Sequence, residues 1–400
     1  MNFALIISVL LILIIIWLVL DFNLGRRKHT SLVSRTETAI LHGNFEIFTH
    51  GRELFIDYFH AIRDAKKHVH VLFYIVKDDA VSREFFSLLK EKALAGVEVR
   101  LLVDPVGSWK VTKAAVEELR EAGVEFSFSN PIRPPYLFYS SQVRNHRKIT
   151  IIDGMIGYLG GFNIGKEYID EDPVLSPWRD YHLKITGESV NFLQSEFFID
   201  WQEATSKGLQ GNPDYFPVRP QGVIRHQFIP TAAGHLEEFF IRLMGQADQS
   251  IIIGSPYFIP SKKLFGALLA ALQRGIDITV IVPYTADHLL VQEASYRYLR
   301  RLIKEGAAVY QYKNGFYHAK TIVIDDKICD IGTANFDKRS LFLNKEINCY
   351  IYDPAFIERL KGIINKDIGD SVLLSLEVLN KRNISRSVKE CIAGAISYFL

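Results

Sequence analysis

The sequence predicts an α/β protein of two similar halves, each a mixed sheet flanked by helices, related by a pseudo-twofold and preceded by one N-terminal transmembrane helix. Three observations predict it. The stretch NHRKITIIDGMIGYLGGFN at 145–163 returns as YHAKTIVIDDKICDIGTAN at 317–335. In both, a His is followed by a Lys two positions later, an Asp seven positions later, and a glycine-containing turn ending in Asn. Upstream of each, 68–105 and 250–284 share one order of elements: strand, turn, amphipathic helix, Gly, strand. The opening residues, finally, are almost wholly apolar.

From Phe3 to Leu20 only Ser8 is polar. At about 1.5 Å per residue the run reaches roughly 27 Å, enough for a hydrocarbon core. No charged side chain precedes it, it is long for a signal-peptide core, and no small-x-small cleavage site follows, so an uncleaved anchor over 1–22 is expected. Arg26, Arg27 and Lys28 come next, and the positive-inside rule places this flank and everything after it on the cytoplasmic side.

The first half is expected over 43–202. Phe85, Leu88 and Leu89 mark its helix, a β-branched run follows Gly96, and EAGVEFSFS supplies a further strand before the His stretch. A Gly- and Pro-rich linker at 203–222 leads to the second half, 223–366, where Leu264, Leu268, Leu272, Gly275 and EGAAVYQYK repeat the pattern. A helical tail is expected over 367–400, with Val388, Ile392, Ala395 and Phe399 at helical spacing as the face packed on the domain.

Composition narrows the function classes. A length of 400 residues at 48% hydrophobic leaves room for two lobes around a large core. A formal charge of +2 argues against a nucleic-acid binder whose affinity rests on many phosphate contacts. Cys329, Cys349 and Cys391 have neither metal-ligand spacing nor an even count, which suits a reducing compartment.

The chemistry follows from the repeated stretches. In a β-type run, side chains two apart share a face, so His146 stands beside Lys148 and His318 beside Lys320. Asp153 and Asp325 have the opposite parity and open turns, so the pattern reads them as hairpin residues. Asn163 and Asn335 end glycine turns that bring amide donors and backbone N–H groups to the same sheet end, with Gly161 and Thr333 at one offset within them as expected substrate contacts. Asp180 and Glu346 give each half a carboxylate able to hold an imidazole in one tautomer. Halves facing each other would form one cleft with two His, two Lys and two Asn, and no acid or cysteine cluster for a metal. That set suits a phosphodiester: cations and amides hold its oxygens, one imidazole attacks phosphorus, and the other protonates the departing alkoxide. Displacement in two steps needs two histidines in different protonation states, and a duplicated half supplies them.

With these motifs in view, the chain is identified as a member of the phospholipase D superfamily. NHRKITIIDGMIGYLGGFNIG, WRDYHLKITG, SPYFIPS, FYHAKTIVIDD and GTANFDKRSLFLNKEIN resemble bacterial cardiolipin synthases of the short kind, and the resemblance spans nearly the whole chain. It implies the superfamily's two α/β halves and condensation of two phosphatidylglycerol molecules to cardiolipin and glycerol through a phosphatidyl-histidine, without metal, nucleotide or other cofactor. It also implies that His146, Lys148 and Asp153 form one catalytic motif and His318, Lys320 and Asp325 the other, with His146 as the nucleophile by family habit. Many relatives carry two N-terminal spans; this chain shows one.

Other segments bear on the same substrate class. PIRPPYLFYSSQVR places Tyr136, Leu137, Phe138 and Tyr139 among arginines, either as an interfacial lip for a lipid headgroup or as an aromatic loop packed on its own core. Tyr257 in SPYFIPS faces the cleft edge, where substrate contact and a turn role are both open. His68, His70 and His182 read as structural strand residues. The partners implied are phosphatidylglycerol and the bilayer, not nucleic acid. The competing functions are a phosphodiesterase that uses water as acceptor and a non-catalytic membrane scaffold, and a scaffold would have eroded motifs.

Overall fold

The apolar N-terminal run forms the first part of one unbroken helix, α1 (Phe3–Leu32). The computed structural model describes residues 3–32, 38–209 and 212–400. Within α1 an 18-residue window has a mean hydropathy of 3.1 and only 6% of it is covered by protein. A helix apolar on every side belongs in a core or a membrane, and no core surrounds this one. The helix outlasts the apolar run and docks by its basic end. Asp21 accepts the Tyr139 backbone N–H at 2.8 Å, and His29 Nδ1 meets the Tyr139 hydroxyl at 2.8 Å.

The chain then continues through β1 (Leu41–His50), α2 (Gly51–Asp64), β2 (His68–Phe73), α3 (Ala80–Leu94), β3 (Glu98–Val103), α4 (Lys113–Glu121) and β4 (Glu125–Phe128). It goes on through α5 (Leu137–Gln142), β5 (Ile149–Ile152), β6 (Ile156–Gly160), β7 (Trp178–Gly187) and α6 (Val190–Thr205). The second pass is β8 (Ile224–Thr231), α7 (Leu236–Gly245), β9 (Ser250–Gly254), α8 (Lys262–Gln273), β10 (Asp277–Pro283), α9 (Val291–Lys304) and β11 (Ala308–Tyr312). It finishes with β12 (Phe316–Tyr317), β13 (Thr321–Ile324), β14 (Ile328–Gly332), α10 (Lys338–Phe342), β15 (Glu346–Ile351), α11 (Pro354–Gly369), β16 (Ser371–Leu373), α12 (Leu376–Asn380) and α13 (Ile384–Ile396).

All strands join one sheet ordered β16-β11-β10-β9-β13-β14-β15-β8-β1-β7-β6-β5-β2-β3-β4, with β12 beside β7. Apart from β16 the order is a palindrome about the β8–β1 junction, where Leu41, His42 and Gly43 pair antiparallel with His226, Arg225 and Ile224. In each half three strands are parallel, β2-β3-β4 and β9-β10-β11, and the hairpins that carry the repeated stretches run antiparallel beside them. Phe197 and Trp201 of α6 and Phe356 and Leu360 of α11 bury one sheet face of both halves in a shared apolar layer. That layer leaves the two halves little freedom to rotate apart.

His68 and His70 are both buried on β2. The His70 ring stacks on Phe197 and receives Arg100 Nη1 at 2.9 Å. His182 is buried in β7, also as a core residue. The aromatic stretch after β4 forms α5 at the foot of the N-terminal helix, where Phe22 meets the rings of Phe138 and Tyr139.

The C-terminal region departs from expectation in two ways. The closing helix α11 runs past 366 to Gly369, and β16 then adds an antiparallel edge strand to β11, so the tail is not purely helical. The face of Val388, Ile392, Ala395 and Phe399 is exposed rather than buried on the domain, although the Phe399 ring meets Phe22 and Phe138. Instead α13 lies against α9 through Glu390, held bidentately by Arg300 at 2.6 and 2.7 Å, and buries Ala393, while Ser397 just past its end accepts from Lys338 of α10 at 2.8 Å. A charge-assisted pair and small side chains let the two helices approach closely, and that contact turns the apolar stripe outward.

Candidate active site

Each His stretch reaches the site by crossing to the other half. Asn145 bridges in parallel to Lys345, and Phe316 and Tyr317 of β12 pair in parallel with Trp178 and Arg179 of β7. The His146 N–H therefore donates to the Lys345 carbonyl at 2.9 Å, and the His318 N–H to that of Arg179 at 2.7 Å. Buried ions fix these lead-ins. Arg147 and Lys345 both bind Asp200 at 3.0 Å, and the Asn145 N–H donates to Asp104 at 3.1 Å.

The crossing determines which carboxylate meets which imidazole. His146 Nδ1 lies 2.9 Å from Glu346 Oε2, and His318 Nδ1 lies 2.6 Å from Asp180 Oδ2. Sequence order offered one carboxylate to each half; the fold exchanges them. Glu346 is further held by the hydroxyls of Thr333 at 2.6 Å and Ser340 at 2.7 Å. Behind Asp180 stands Gly161, where an added Cβ would lie 2.1 Å from the carboxylate oxygen. Gly161 and Thr333, expected to touch substrate, instead sit behind the carboxylates: one makes room for Asp180 and the other, wholly buried, binds Glu346.

The lysines lie beneath the imidazoles and are also buried. Lys148 Nζ donates to the His146 carbonyl at 2.7 Å and lies over the Tyr74 ring. Lys320 Nζ contacts the His318 ring and lies 3.3 Å from Asp180. Burial lowers the Lys148 ammonium to about 7 and draws Lys320 down as well. Burial, with Lys320 next in weight, takes His318 to about 4, and burial lowers His146 against the upward pull of Glu346. On Asp180 burial pushes upward, but Lys320 and His318 outweigh it and hold the group below the usual carboxylate range; His146 does the same for Glu346. Both imidazoles are thus neutral at pH 7, each with its Nδ1 turned to an ionised acid; Lys320 Nζ also lies 3.3 Å from His318 Nε2.

His146, His318, Asn163, Asn335 and Tyr257 all line one cavity of about 460 Å³. Asn163 spends its amide within the protein, accepting from the Ile75 N–H at 3.1 Å and donating to the Tyr168 hydroxyl at 3.2 Å. Asn335 keeps a buried amide oxygen with no hydrogen-bond partner among the described residues. The Tyr257 hydroxyl donates to Asp287 at 2.5 Å.

Asp153 and Asp325 do not belong to this cavity. Each lies seven residues from its His, a distance of roughly 20 Å along extended chain. The Asp153 carboxylate accepts the backbone N–H groups of Lys66, Lys67 and His68, and Asp325 those of Asp248, Gln249 and Ser250. Both residues have positive φ, 53° and 50°, which an Asp tolerates in a tight turn. The turn that carries the Asp is thereby bolted to the start of the neighbouring strand. Asp153→Ala and Asp325→Ala are each expected to lower unfolding free energy by about 2–4 kcal/mol, with turnover per folded molecule close to the parent's. Denaturation curves paired with activity corrected for folded fraction would check this, and loss of turnover at full stability would contradict it.

Sequence reasoning missed Glu167 and Arg339, which line the cavity from opposite halves. They occupy one offset, seven residues after Gly160 and Gly332, so carrying the repeat comparison a few positions further finds them. Their opposite charges break the pseudo-symmetry. Glu167 pairs with Lys77 at 3.1 Å, whereas Arg339 is held only by carbonyl oxygens of Gln142 and Phe399, with no carboxylate partner among the described residues.

Comparison with known proteins agrees with this geometry. The family model described as "Cardiolipin synthase, PLD-like domain" matches residues 58–173 and 240–368. The minor cardiolipin synthase ClsB of Bacillus subtilis is 39% identical over 400 residues, covering all of both chains. The major cardiolipin synthase ClsA of the same organism is 39% identical over 363 residues, 89% of this chain and 75% of its own. Among solved structures, phosphatidylserine synthase of Haemophilus influenzae superposes with a TM-score of 0.70 at 16% identity, covering 94% of this chain and 99% of that one, a likeness of fold. A duplicated His-Lys stretch on a palindromic sheet, a matched family model and full-length relatives meet in one conclusion: the chain belongs to the cardiolipin synthase family with phospholipase D-like domains.

Proposed function

We propose that the protein transfers a phosphatidyl group from one phosphatidylglycerol to the hydroxyl of another, giving cardiolipin and glycerol. As a member of this family it is a phosphatidyltransferase of the phospholipase D type. The observation that carries the reaction is the pair of imidazoles in one cavity, each backed by the other half's carboxylate. Neutral His146 attacks phosphorus through Nε2. As the bond to glycerol oxygen breaks, protonated His318 gives its proton to the leaving alkoxide, and a phosphatidyl-histidine remains. His318, now neutral, takes the proton from the hydroxyl of a second phosphatidylglycerol, whose oxygen displaces His146. One diester bond is exchanged for another, so no nucleotide is consumed. Lys148, Lys320 and Asn335 offset the charge that builds on the non-bridging oxygens. An arriving phosphodiester anion supplies the counter-charge these buried cations lack, and so raises His318 towards the protonation the first step needs.

The N-terminal helix associates the protein with the membrane, where donor and acceptor are both concentrated. Arg26, Arg27 and Lys28 favour a cytoplasmic catalytic domain.

The test is full-length protein in detergent–phospholipid mixed micelles, with labelled phosphatidylglycerol as sole substrate, a chelator present, and products read by mass spectrometry. Cardiolipin is expected in step with free glycerol, and neither with His318→Ala. Phosphatidic acid without cardiolipin would overturn the transferase and make water the acceptor.

The depressed groups also set a pH profile. As pH falls, His146 takes up a proton and the nucleophile is lost; as pH rises through about 7, Lys148 loses its proton and the empty site loses a cation. A bell-shaped kcat/KM is therefore expected, its alkaline limb set at or below neutrality by loss of protonated His318 and of the Lys148 charge, while the same limb in kcat moves to higher pH because bound phosphodiester raises His318 and keeps Lys148 charged. Initial rates across about pH 5 to about pH 9 would show it, and a flat kcat/KM above neutrality would refute it.

A further inference from the structure

The outward stripe of α13 is apolar along its whole length. Ile384 is 86% exposed, Val388 54%, Ile392 49% and Ile396 41%, and Phe399 continues the line. At about 100° per residue these side chains lie roughly half a turn from Glu390, which binds Arg300 of α9, and from the buried Ala393 and Ser397. Scattered exposed apolar residues are ordinary, but a continuous stripe on an amphipathic helix marks a surface that something covers.

Three observations identify what covers it. The end of the stripe touches the apolar helix: Phe22 of α1 meets Tyr398 at 5.6 Å and Phe399 at 5.5 Å between ring centroids. Phe22 lies two residues past Leu20, about 3 Å along the axis from the end of the apolar run, so Phe399 stands at the depth where hydrocarbon gives way to headgroups. Basic side chains flank both helices, with Arg26, Arg27 and Lys28 exposed on α1 and Lys381 and Arg382 exposed before α13. An apolar stripe with cationic flanks suits an anionic lipid surface.

We propose that α13 is an interfacial helix that lies along the membrane surface with Ile384, Val388, Ile392 and Ile396 in the acyl boundary, and so seats the cavity mouth on the bilayer. This rests on reading α1 as a membrane span and a phospholipid as the substrate. The link to the site is direct. Phe399 and Leu400 line the cavity beside Arg339, whose Nη1 donates to the Phe399 carbonyl at 3.2 Å. Docking α13 brings that rim to headgroup level, where a headgroup reaches the histidines while its acyl chains stay in the bilayer. The exposed Leu137 of α5, next to Phe138 and its contact with Phe22, continues the same surface.

The test uses full-length protein in vesicles of phosphatidylcholine and phosphatidylglycerol. Cys391→Ser removes the exposed cysteine, and nitroxides are attached at Val388→Cys or Ile392→Cys, with Ile199→Cys on α6 as the control. Higher accessibility to oxygen than to a water-soluble nickel complex is expected at 388 and 392, and the reverse at 199. Water-like accessibility at 388 and 392 would overturn the proposal, as would spin–spin broadening there, which would make the stripe an interface between copies. A second variant changes Ile384, Val388, Ile392 and Ile396 to Glu. Turnover of bilayer phosphatidylglycerol is expected to fall about tenfold, with turnover of a dispersed short-chain analogue unchanged. Equal turnover on bilayers would overturn the seating role. The nitroxide readout needs no catalysis, so failure of the transferase assay and failure of docking remain separate results.

Discussion

His146→Ala lowers turnover at least about a thousandfold, His318→Ala does the same, and the double variant is scarcely worse than either, because groups that act as one unit do not lose activity additively. The geometry forces this expectation. Both imidazoles line one cavity, and each has its Nδ1 occupied by a buried carboxylate, so each presents a single nitrogen to the same phosphorus. Without the nucleophile no phosphatidyl-enzyme forms for the second histidine to act on. Without the acid–base partner the leaving alkoxide has no proton donor and the incoming hydroxyl has no base. Rates on phosphatidylglycerol micelles for the two single variants and the double decide the matter. Losses that multiply would place the histidines in independent sites and contradict the shared displacement. Quenching His318→Ala during turnover and analysing peptides by mass spectrometry adds a second readout, since a phosphorylated peptide containing His146 is expected to survive where its breakdown is slowed.

Much of this was legible in the chain because polar residues at fixed spacing cannot arise from core packing alone. The repeat of His, Lys, Asp and Asn gave two halves and both imidazole–ammonium pairs. Strand periodicity put Lys148 beside His146, although both precede β5 and Lys148 reaches the His146 carbonyl, and the opposite parity of Asp153 marked it as a turn residue, which its three backbone N–H partners explain. What the chain does not display is contact between halves. Nothing in the spacing of WRDYHL shows that Arg179 lies alongside Tyr317, yet that short parallel pairing sends Asp180 to the histidine 138 positions away. Gly161 and Thr333 were misread for the same reason: a small residue and a hydroxyl beside a catalytic turn suit a substrate or a neighbouring carboxylate equally well until the carboxylate is placed. The tail shows a third limit. An apolar stripe at helical spacing looks alike whether it faces a core or a bilayer, and its direction was decided by Arg300 and Glu390, an ion pair formed across 90 positions.

Exchange of carboxylates between halves has its own kinetic signature. Glu346→Gln and Asp180→Asn are each expected to lower turnover by about 10²- to 10⁴-fold, as when the acid that orients a catalytic imidazole is neutralised. A structural defect could mimic that loss, so the discriminating readout is pH. Glu346 raises the proton affinity of His146, which burial otherwise lowers. Removing its charge lets His146 fall further, so the acid limb of kcat/KM moves to lower pH in Glu346→Gln. Asp180 acts on His318 in the same sense. Asp180→Asn should therefore leave the His146 limb in place and lower the proton affinity of His318, so that less of it carries the proton the departing glycerol needs. If each carboxylate served the histidine of its own half, the assignments would reverse: Asp180→Asn would move the acid limb and Glu346→Gln would not. Imidazole chemical shifts in selectively labelled protein follow both groups directly. A titration in which Glu346→Gln moves His318 and spares His146 would refute the crossed arrangement. The expected result ties each catalytic group to an acid from the opposite half, so neither half can be competent alone, and the layer shared by α6 and α11 is what keeps both acids in place.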